Sequence, residues 1–127
     1  GSCSNAHPET KDNVAYSLLK RGGISTLGAT RLSWYSPGQS YGSFAGSATV
    51  GGMGYEYVKR LVQELSGGDA LYQTKQAIYP SESAFLMNWY VMNLYGDPSV
   101  SLKNPPPPPE PPEVPLNRRI GRWQRPV

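Results

Sequence analysis

The distribution of proline most constrains how this 127-residue chain can fold. Nine of the 13 prolines follow Lys103. Proline lacks a backbone N–H and fixes φ, so a stretch this rich in proline cannot form the interior of a helix or sheet. We therefore predict a globular part over residues 1–103 and a separate Pro/Arg-rich tail over residues 104–127, which we expect to be disordered, with a stiff polyproline II stretch from Pro105 to Pro115.

Charge and cysteine content exclude several classes of protein. The net charge of +3 divides into +1 for residues 1–103 and +2 for the tail, so the globular part is nearly neutral and predicts no nucleic-acid surface. A single cysteine excludes an internal disulfide and a Cys-rich metal site. With one histidine and no phosphate-loop pattern, we expect neither a metal nor a cofactor. No apolar run is long enough to span a membrane.

Helical and strand patterns alternate along residues 1–103. Asp12-Asn13 offers an N-cap for a helix that Gly22-Gly23 ends, and residues 24–30 read as a buried parallel strand. Residues 38–54 predict a flexible Gly-rich loop. Residues 55–65 predict an amphipathic helix, with Val58 and Val62 on its apolar core face and Glu56 and Lys59 facing solvent. The stretch Ser66-Gly67-Gly68-Asp69 ends this helix and caps a third one, which runs from about residue 70 to Tyr79-Pro80.

The last globular stretch predicts a helix and then a strand. The helix starts at Ser81 or Ser83, runs to about Leu94, and is apolar on nearly all sides, which indicates burial with Asn88 among its few polar residues. Gly96-Asp97-Pro98 is a turn, and residues 99–102 form a short strand. The order of elements is typical of an α/β fold with a mostly parallel sheet.

Two loops on this sheet are candidate functional segments. The first segment is Gly1-Ser2-Cys3, which reads as the end of a strand and is followed by the start of a helix. That layout suits a thiolate nucleophile, whereas the alternative is an inert buried thiol. The first two residues of this segment could instead be a cloning scar. The loop after residues 24–30 should share the same sheet edge and holds Trp34 and Tyr35, as pocket walls or as packing over the core. His7 reads as an exposed or capping residue rather than a catalytic base.

Four strings, in this order, carry a resemblance: Ser-Cys-Ser-Asn (2–5), Leu-Leu-Lys-Arg-Gly-Gly-Ile (18–24), Gly-Ala-Thr-Arg-Leu-Ser-Trp-Tyr (28–35) and Asn-Leu-Tyr-Gly-Asp-Pro-Ser-Val (93–100). Together they resemble the C-terminal half of the gingipain-type (C25) cysteine peptidases. The resemblance implies a caspase-like three-layer α/β/α domain and a thiol endopeptidase acting on protein or peptide substrates. Cys3 matches the nucleophile. Trp34 matches a residue of the specificity pocket, with Ser33 and Thr30 beside it as substrate-binding candidates.

The resemblance also implies parts that this sequence lacks. The general base of the family is a His in an upstream His-Gly pair, so we expect an N-terminal half of the domain before Gly1 and an inactive chain without it. Secretion or attachment to a bacterial cell envelope is implied as well. The alternative is a non-catalytic caspase-like structural or interaction module in which the Pro-rich tail binds a partner; as a third possibility the tail is a bare linker.

Overall fold

The computed structural model describes residues 4–78, 80 and 83–102. Four helices, two strands and one 3-10 turn make up this part of the chain. In order they are α1 (Val14–Lys20), β1 (Ser25–Ala29), the 3-10 turn (Tyr41–Ser43), α2 (Val50–Val62), α3 (Gly67–Ala77), α4 (Ser83–Val91) and β2 (Met92–Gly96). The α/β class predicted from the sequence is confirmed. Cys3 and the Pro-rich tail, with the predictions made for them, lie outside the described residues.

Polar caps fix the starts of α1 and α3, as predicted. The side chain of Asn13 accepts a hydrogen bond from the backbone N–H of Tyr16, and Ser66 accepts one from that of Asp69. Each bond satisfies an N–H that has no partner within its helix. These two starts depend on local hydrogen bonds, which explains why the sequence is enough to locate them.

Helix α2 begins inside the stretch that the sequence analysis assigned to a loop, so the loop prediction over residues 50–54 is wrong. Thr49 is the N-cap, and its hydroxyl accepts a hydrogen bond of 3.1 Å from the backbone N–H of Gly52. A Cβ at Gly52 would lie 2.2 Å from the carbonyl oxygen of Ser47. Glycine is present there because the backbone passes too close for any side chain, not because the chain is flexible.

The boundaries near residue 92 also differ from the prediction. Helix α4 ends at Val91 instead of Leu94, and β2 starts at the next residue. The Nδ2 of Asn93 donates to the carbonyl oxygens of Tyr90 and Val91, which satisfies acceptors at the helix end. An apolar run does not by itself distinguish helix from strand, so this switch was missed.

No strand forms at residues 99–102, where one was predicted. The carbonyl oxygens of Val100 and Pro98 instead accept hydrogen bonds of 2.8 Å from the N–H groups of Gly67 and Gly68 at the start of α3. The predicted turn before them is confirmed, since Asp97 Oδ1 accepts from the backbone N–H of Ser99 at 2.8 Å. The backbone here therefore caps a helix and does not extend the sheet.

Within the described residues the sheet consists of β1 and β2, which pair antiparallel with Ser25 opposite Gly96 and Ala29 opposite Met92. The described residues therefore do not show the mostly parallel sheet predicted from the sequence, since their pairing is antiparallel. The strand predicted to end at Cys3 lies outside the described residues.

Side chains alternate across the two strands, so the sheet has two distinct faces. One face supplies Ala29 and Met92 to a core cluster whose other members come from the helices: Met53, Ile78 and Val91. On the other face Gly28 lies against the segment that precedes α1, and the hydroxyl of Tyr95 donates to the carbonyl oxygen of Ala6 at 2.9 Å.

Burial corrects the predicted orientations of α2 and α4. Glu56, expected at the surface, is buried, whereas Val58 and Val62 of the predicted core face are 54% and 67% exposed. On α4, Asn88 is fully buried while Tyr90 is 62% exposed. Hydrophobicity alone assigned these faces, but hydrogen-bonding partners elsewhere in the chain decide which polar side chains are buried.

Candidate active site

Residues 4–6, here called the post-Cys3 segment, are held against the end of β1 by hydrogen bonds. The N–H of Ser4 donates to the carbonyl oxygen of Arg31, and that of Ala6 donates to Ala29, both at 3.1 Å. The side chain of Asn5 accepts from the N–H of Ala29 at 2.7 Å. The residue that follows Cys3 is thereby fixed beside the segment that follows β1, although Cys3 itself lies outside the described residues.

Ser4 has a left-handed backbone, with φ at 54°. A residue with a Cβ adopts this conformation at a cost, and such residues concentrate at ligand-binding and catalytic positions. The hydrogen bond to Arg31 and the bonds of Asn5 hold the strained residue in place. The turn directly after Cys3 is therefore specified by its surroundings.

Gly28 makes this close approach possible. A Cβ at position 28 would lie 2.5 Å from the Cβ of Ala6 and 2.9 Å from the side-chain oxygen of Asn5. Only glycine leaves room for the post-Cys3 segment to lie flat on β1. Gly28 is also the first residue of the Gly-Ala-Thr-Arg-Leu-Ser-Trp-Tyr string.

A polar cluster of Glu9, Arg31 and His7 lies close to the same end of β1. The guanidinium of Arg31 binds both carboxylate oxygens of Glu9. The hydrogen bond from Arg31 is the main reason that the pKa of Glu9 lies below its ordinary value. A backbone hydrogen bond and the charges of Arg31 and His7 also lower this pKa, while desolvation opposes them. His7 Nδ1 lies 2.9 Å from Glu9 Oε2 but outside hydrogen-bonding geometry, so the two side chains are close without a hydrogen bond between them.

His7 also has a structural role in the turn before α1. Its carbonyl oxygen accepts hydrogen bonds from the N–H of Thr10 at 3.2 Å and from Asn13 Nδ2 at 2.9 Å. The side chain is one-third exposed. This arrangement agrees with the interpretation of His7 as a residue at the entry to a helix.

The three other candidate residues, Thr30, Ser33 and Trp34, lie on the segment that leaves β1. The N–H and the hydroxyl of Thr30 both donate to the carbonyl oxygen of Val91, at 2.9 and 3.2 Å. Ser33 is buried, and the side chain of Trp34 is about half exposed. Thr30 thus anchors the segment to the end of α4, whereas Trp34 presents indole surface to solvent.

Asn88 positions this segment, and the sequence analysis missed it. Its Oδ1 accepts from the backbone N–H of Trp34 at 2.6 Å. Its Nδ2 donates to the carbonyl oxygens of Trp34 and Ala48, at 2.8 and 2.9 Å. A lone amide within an otherwise apolar helix was the available signal, because such a group is stable in a core only when its hydrogen bonds are satisfied.

Cavities border the site on the side of α2. One of about 230 Å³ is lined by Tyr35, Ser36, Gln39 and Phe44. A larger groove of about 630 Å³ lies on the outer face of α2, and Phe44 and Gly51 line both spaces. The larger groove does not include Trp34 or the post-Cys3 segment, so volume alone does not identify the catalytic position.

The described part of the chain also bears on metal binding and on membrane insertion. Residues 4–78, 80 and 83–102 contain no group of three or more His, Cys, Asp or Glu side chains placed to hold a metal ion. None of the helices there has both the length and the apolar character needed to cross a membrane.

Comparison with known proteins identifies the family. No curated protein and no solved structure matches the chain. The family model described as peptidase family C25 matches residues 2–103, a span that includes Cys3, the post-Cys3 segment, β1, Trp34 and Asn88. Since this match covers most of the chain, the protein belongs to peptidase family C25.

Proposed function

We propose that this chain carries the nucleophile of a cysteine-type endopeptidase and that Cys3 is that nucleophile. The single observation that supports this most is the match to peptidase family C25 over residues 2–103. The fixed Ser4–Ala6 segment beside Arg31 is consistent with it, because a nucleophile needs a rigid neighbouring backbone. The finer expectation of a caspase-like three-layer domain is part of the same proposal.

The proposed reaction is acyl transfer. The Cys3 thiolate attacks the carbonyl carbon of the scissile peptide bond, the amine product leaves with a proton, and a thioester acyl-enzyme remains. Water then cleaves the thioester, which releases the carboxylic acid and regenerates the thiol. The backbone N–H of Cys3 would be one donor to the oxyanion.

The proton donor and acceptor of this reaction would come from a part of the domain before Gly1. His7 is a poor candidate for the base, because its Nδ1 faces Glu9 and its backbone belongs to the turn before α1. The proposal therefore includes an N-terminal half with a catalytic histidine as the partner of this chain. Export to the cell surface or beyond belongs to the same proposal.

Trp34 is the proposed wall of the specificity pocket, with Ser33 and Thr30 supporting it. Their hydrogen bonds suggest a division of roles. The hydroxyl of Thr30 and the backbone N–H of Trp34 donate hydrogen bonds to residues of α4, while the indole of Trp34 is about half exposed. Trp34 would thus contact substrate directly, and Thr30 and Ser33 would position it.

The test uses the complete coding region, expressed as wild type and as Cys3→Ala. Cleavage of a mixed peptide library is measured by mass spectrometry. We expect Cys3→Ala to lose cleavage by at least a thousandfold while its thermal melt stays unchanged. Retained cleavage by Cys3→Ala would exclude Cys3 as the nucleophile.

Substrate contact by Trp34 has a control in Tyr72, an aromatic residue of α3 that is 62% exposed. We expect Trp34→Ala to change the residue preference at the cleaved bond and to raise KM, whereas Tyr72→Ala leaves the preference unchanged. Equal effects of the two substitutions would contradict the assignment.

The alternative function is a non-catalytic interaction module with the tail as its binding element. It predicts that deletion of residues 104–127 abolishes capture of a partner and that Cys3→Ala has no effect on it. A thousandfold loss of proteolysis in Cys3→Ala would reject this alternative.

A further inference from the structure

The groove on the outer face of α2 is apolar, aromatic and open. Its walls are Tyr41 and Phe44 from the segment before the helix and Tyr55, Val58 and Val62 from the helix itself. Tyr41 is 76% exposed, and Val58 and Val62 are more than half exposed. This surface is the α2 stripe that the sequence pattern assigned to a core, so its hydrophobic residues need a different partner.

The aromatic side chains of the groove are held in place. The rings of Tyr41 and Tyr55 meet edge to face with centroids 5.6 Å apart, and Phe44 lies 6.5 Å from Tyr55. A Cβ at Gly51 would lie 2.9 Å from the Phe44 ring, so glycine permits that ring to lie against the helix. The groove is therefore preformed and needs no rearrangement to receive a ligand.

We propose that the occupant of this groove is the chain's own proline-rich segment, residues 105–115. Polyproline II segments dock on grooves lined by aromatic rings, because the proline rings pack on the aromatic faces. Proline has no N–H to desolvate, and its extended form is already adopted before binding. An apolar, aromatic groove offers few hydrogen-bonding partners, so an occupant that requires few is favoured.

The position where the described chain ends supports this occupant. The carbonyl oxygen of Val100 accepts a hydrogen bond from the N–H of Gly67, at the start of α3. Helix α2, which lines the groove, ends at Val62, only five residues before Gly67. The described chain therefore ends at Leu102 near the turn that joins α2 to α3, and the proline run starts three residues later.

The lengths agree. The groove follows α2 from Gly51 to Gln63, which at about 1.5 Å per residue is roughly 18 Å. Five to seven residues of polyproline II at about 3.1 Å each span roughly 15–22 Å. The uninterrupted run from Pro105 to Pro109 has five residues, so within the segment 105–115 this run alone is long enough to follow most of the groove.

Charge also agrees with the proposal. Lys59 lines the groove and is half exposed. Glu110 and Glu113 are the acidic residues of the tail, and both lie within the segment 105–115. The four arginines of the tail all follow this segment, so its docked part would bring negative charge toward Lys59.

The test places a photoreactive benzoylphenylalanine at Val62 in the full 127-residue chain. The matched control has the same probe at Val14, a valine of α1 that is 58% exposed. Equal amounts of ¹⁴N- and ¹⁵N-labelled chains are mixed at low micromolar concentration and irradiated, and the cross-linked peptides are mapped by mass spectrometry. We expect the Val62 probe to link to residues 105–115 of its own chain at least fivefold more often than the Val14 probe.

Two outcomes of this experiment would overturn the proposal. Val62 cross-links between ¹⁴N and ¹⁵N chains would identify a second copy as the occupant. Equal yields from Val62 and Val14 would show that the tail has no preference for the groove.

A tail variant keeps the proposal testable without altering α2. Replacement of Pro105 to Pro109 by serine removes the proline rings and lies outside the described helices and strands. We expect it to lower the cross-link yield from Val62 to the level of the Val14 control. An unchanged yield would contradict recognition of proline.

Discussion

At the scale of single residues, Asn88 connects the core to the candidate site. It is fully buried, and its side-chain amide forms hydrogen bonds with both the N–H and the carbonyl oxygen of Trp34. The same side chain reaches Ala48, near the start of α2. The placement of Trp34 thus depends on a helix that is more than 50 residues away in sequence.

Asn88→Leu removes these hydrogen bonds and keeps the branched shape and the number of heavy atoms of the side chain. Because the part-buried N–H of Trp34 then loses its acceptor and the carbonyl oxygens of Trp34 and Ala48 lose a donor, we expect a loss of about 1–3 kcal/mol in the free energy of unfolding. Urea denaturation measures this loss, and NMR hydrogen exchange should show the Trp34 amide exchanging at least tenfold faster. Met87→Leu is the control, since Met87 is adjacent and about half exposed. If the Trp34 amide stays protected in Asn88→Leu, Asn88 does not position this segment.

Glu56 is a buried carboxylate with a specific ionic partner. Burial by itself raises its pKa, but hydrogen bonds from Arg60 and from the N–H of Gly46, with the charges of Lys59 and Arg60, outweigh burial and leave the pKa below its ordinary value. The distance from Arg60 Nη1 to Glu56 Oε2 is 2.6 Å. A carboxyl whose pKa is lower in the folded state stabilises the protein above its unfolded pKa.

The stability that Glu56 contributes should therefore decrease as the pH falls below about 4.3 and through the lowered pKa. We expect Glu56→Gln to cost about 1–3 kcal/mol at pH 7, and less at pH 3.5. Urea denaturation at the two pH values measures the difference. Glu9→Gln is the control, because its pair with Arg31 is exposed and screened by solvent, so its effect should be smaller. A cost that does not depend on pH would contradict the role of the Glu56 charge.

At the scale of elements, two of the three glycines in α2 have opposite requirements. A Cβ at Gly52 would meet the backbone oxygen of Ser47 at 2.2 Å, whereas a Cβ at Gly54 would have open space within 4 Å. Alanine favours a helix over glycine by about 0.8–1 kcal/mol. We therefore expect Gly54→Ala to stabilise the chain by up to about 1 kcal/mol, and Gly52→Ala to destabilise it because the backbone of Ser47 must move.

Each of these two substitutions serves as the control for the other, since both add one methyl group to the same helix. Thermal melts by circular dichroism give the sign of each change. If Gly52→Ala raises the melting temperature as Gly54→Ala does, helix propensity and not the approach of Ser47 governs the start of α2.

The elements also show what the sequence could predict. The starts of α1 and α3 were predicted because Asn13 and Ser66 cap their own helices within three residues. The start of α2 was not predicted, because Gly51 and Gly52, which fit against Phe44 and Ser47, belong to a Gly-rich composition that is also typical of a flexible loop. The orientation of α2 and the burial of Asn88 depend on partners far along the chain, which hydrophobic periodicity does not reveal. For the candidate site, the resemblance is the source of the predictions for Cys3 and Trp34, whereas no pattern predicted the hydrogen bonds of Asn88.

At the scale of the whole molecule, the described part has a small core and a large exposed apolar surface. The core cluster comprises five residues, two of which are methionines. Fourteen large hydrophobic residues in the described part are exposed, among them Leu18 of α1 and Ile24 just before β1. A sheet with only two described strands is marginally stable in water by itself. Such a surface favours association with further protein.

We therefore expect the 127-residue chain by itself to self-associate as its concentration increases from about 1 to 100 μM, because its apolar helix faces and strand edges are exposed. Sedimentation velocity measures this association. The double variant Leu18→Lys with Ile24→Lys places charge on that surface and should reduce association without a loss of helix content. The control is Tyr72→Lys, on an exposed position of α3 away from β1. A monodisperse monomer with a cooperative melt at every concentration would contradict the expectation that this chain needs a further part of its domain.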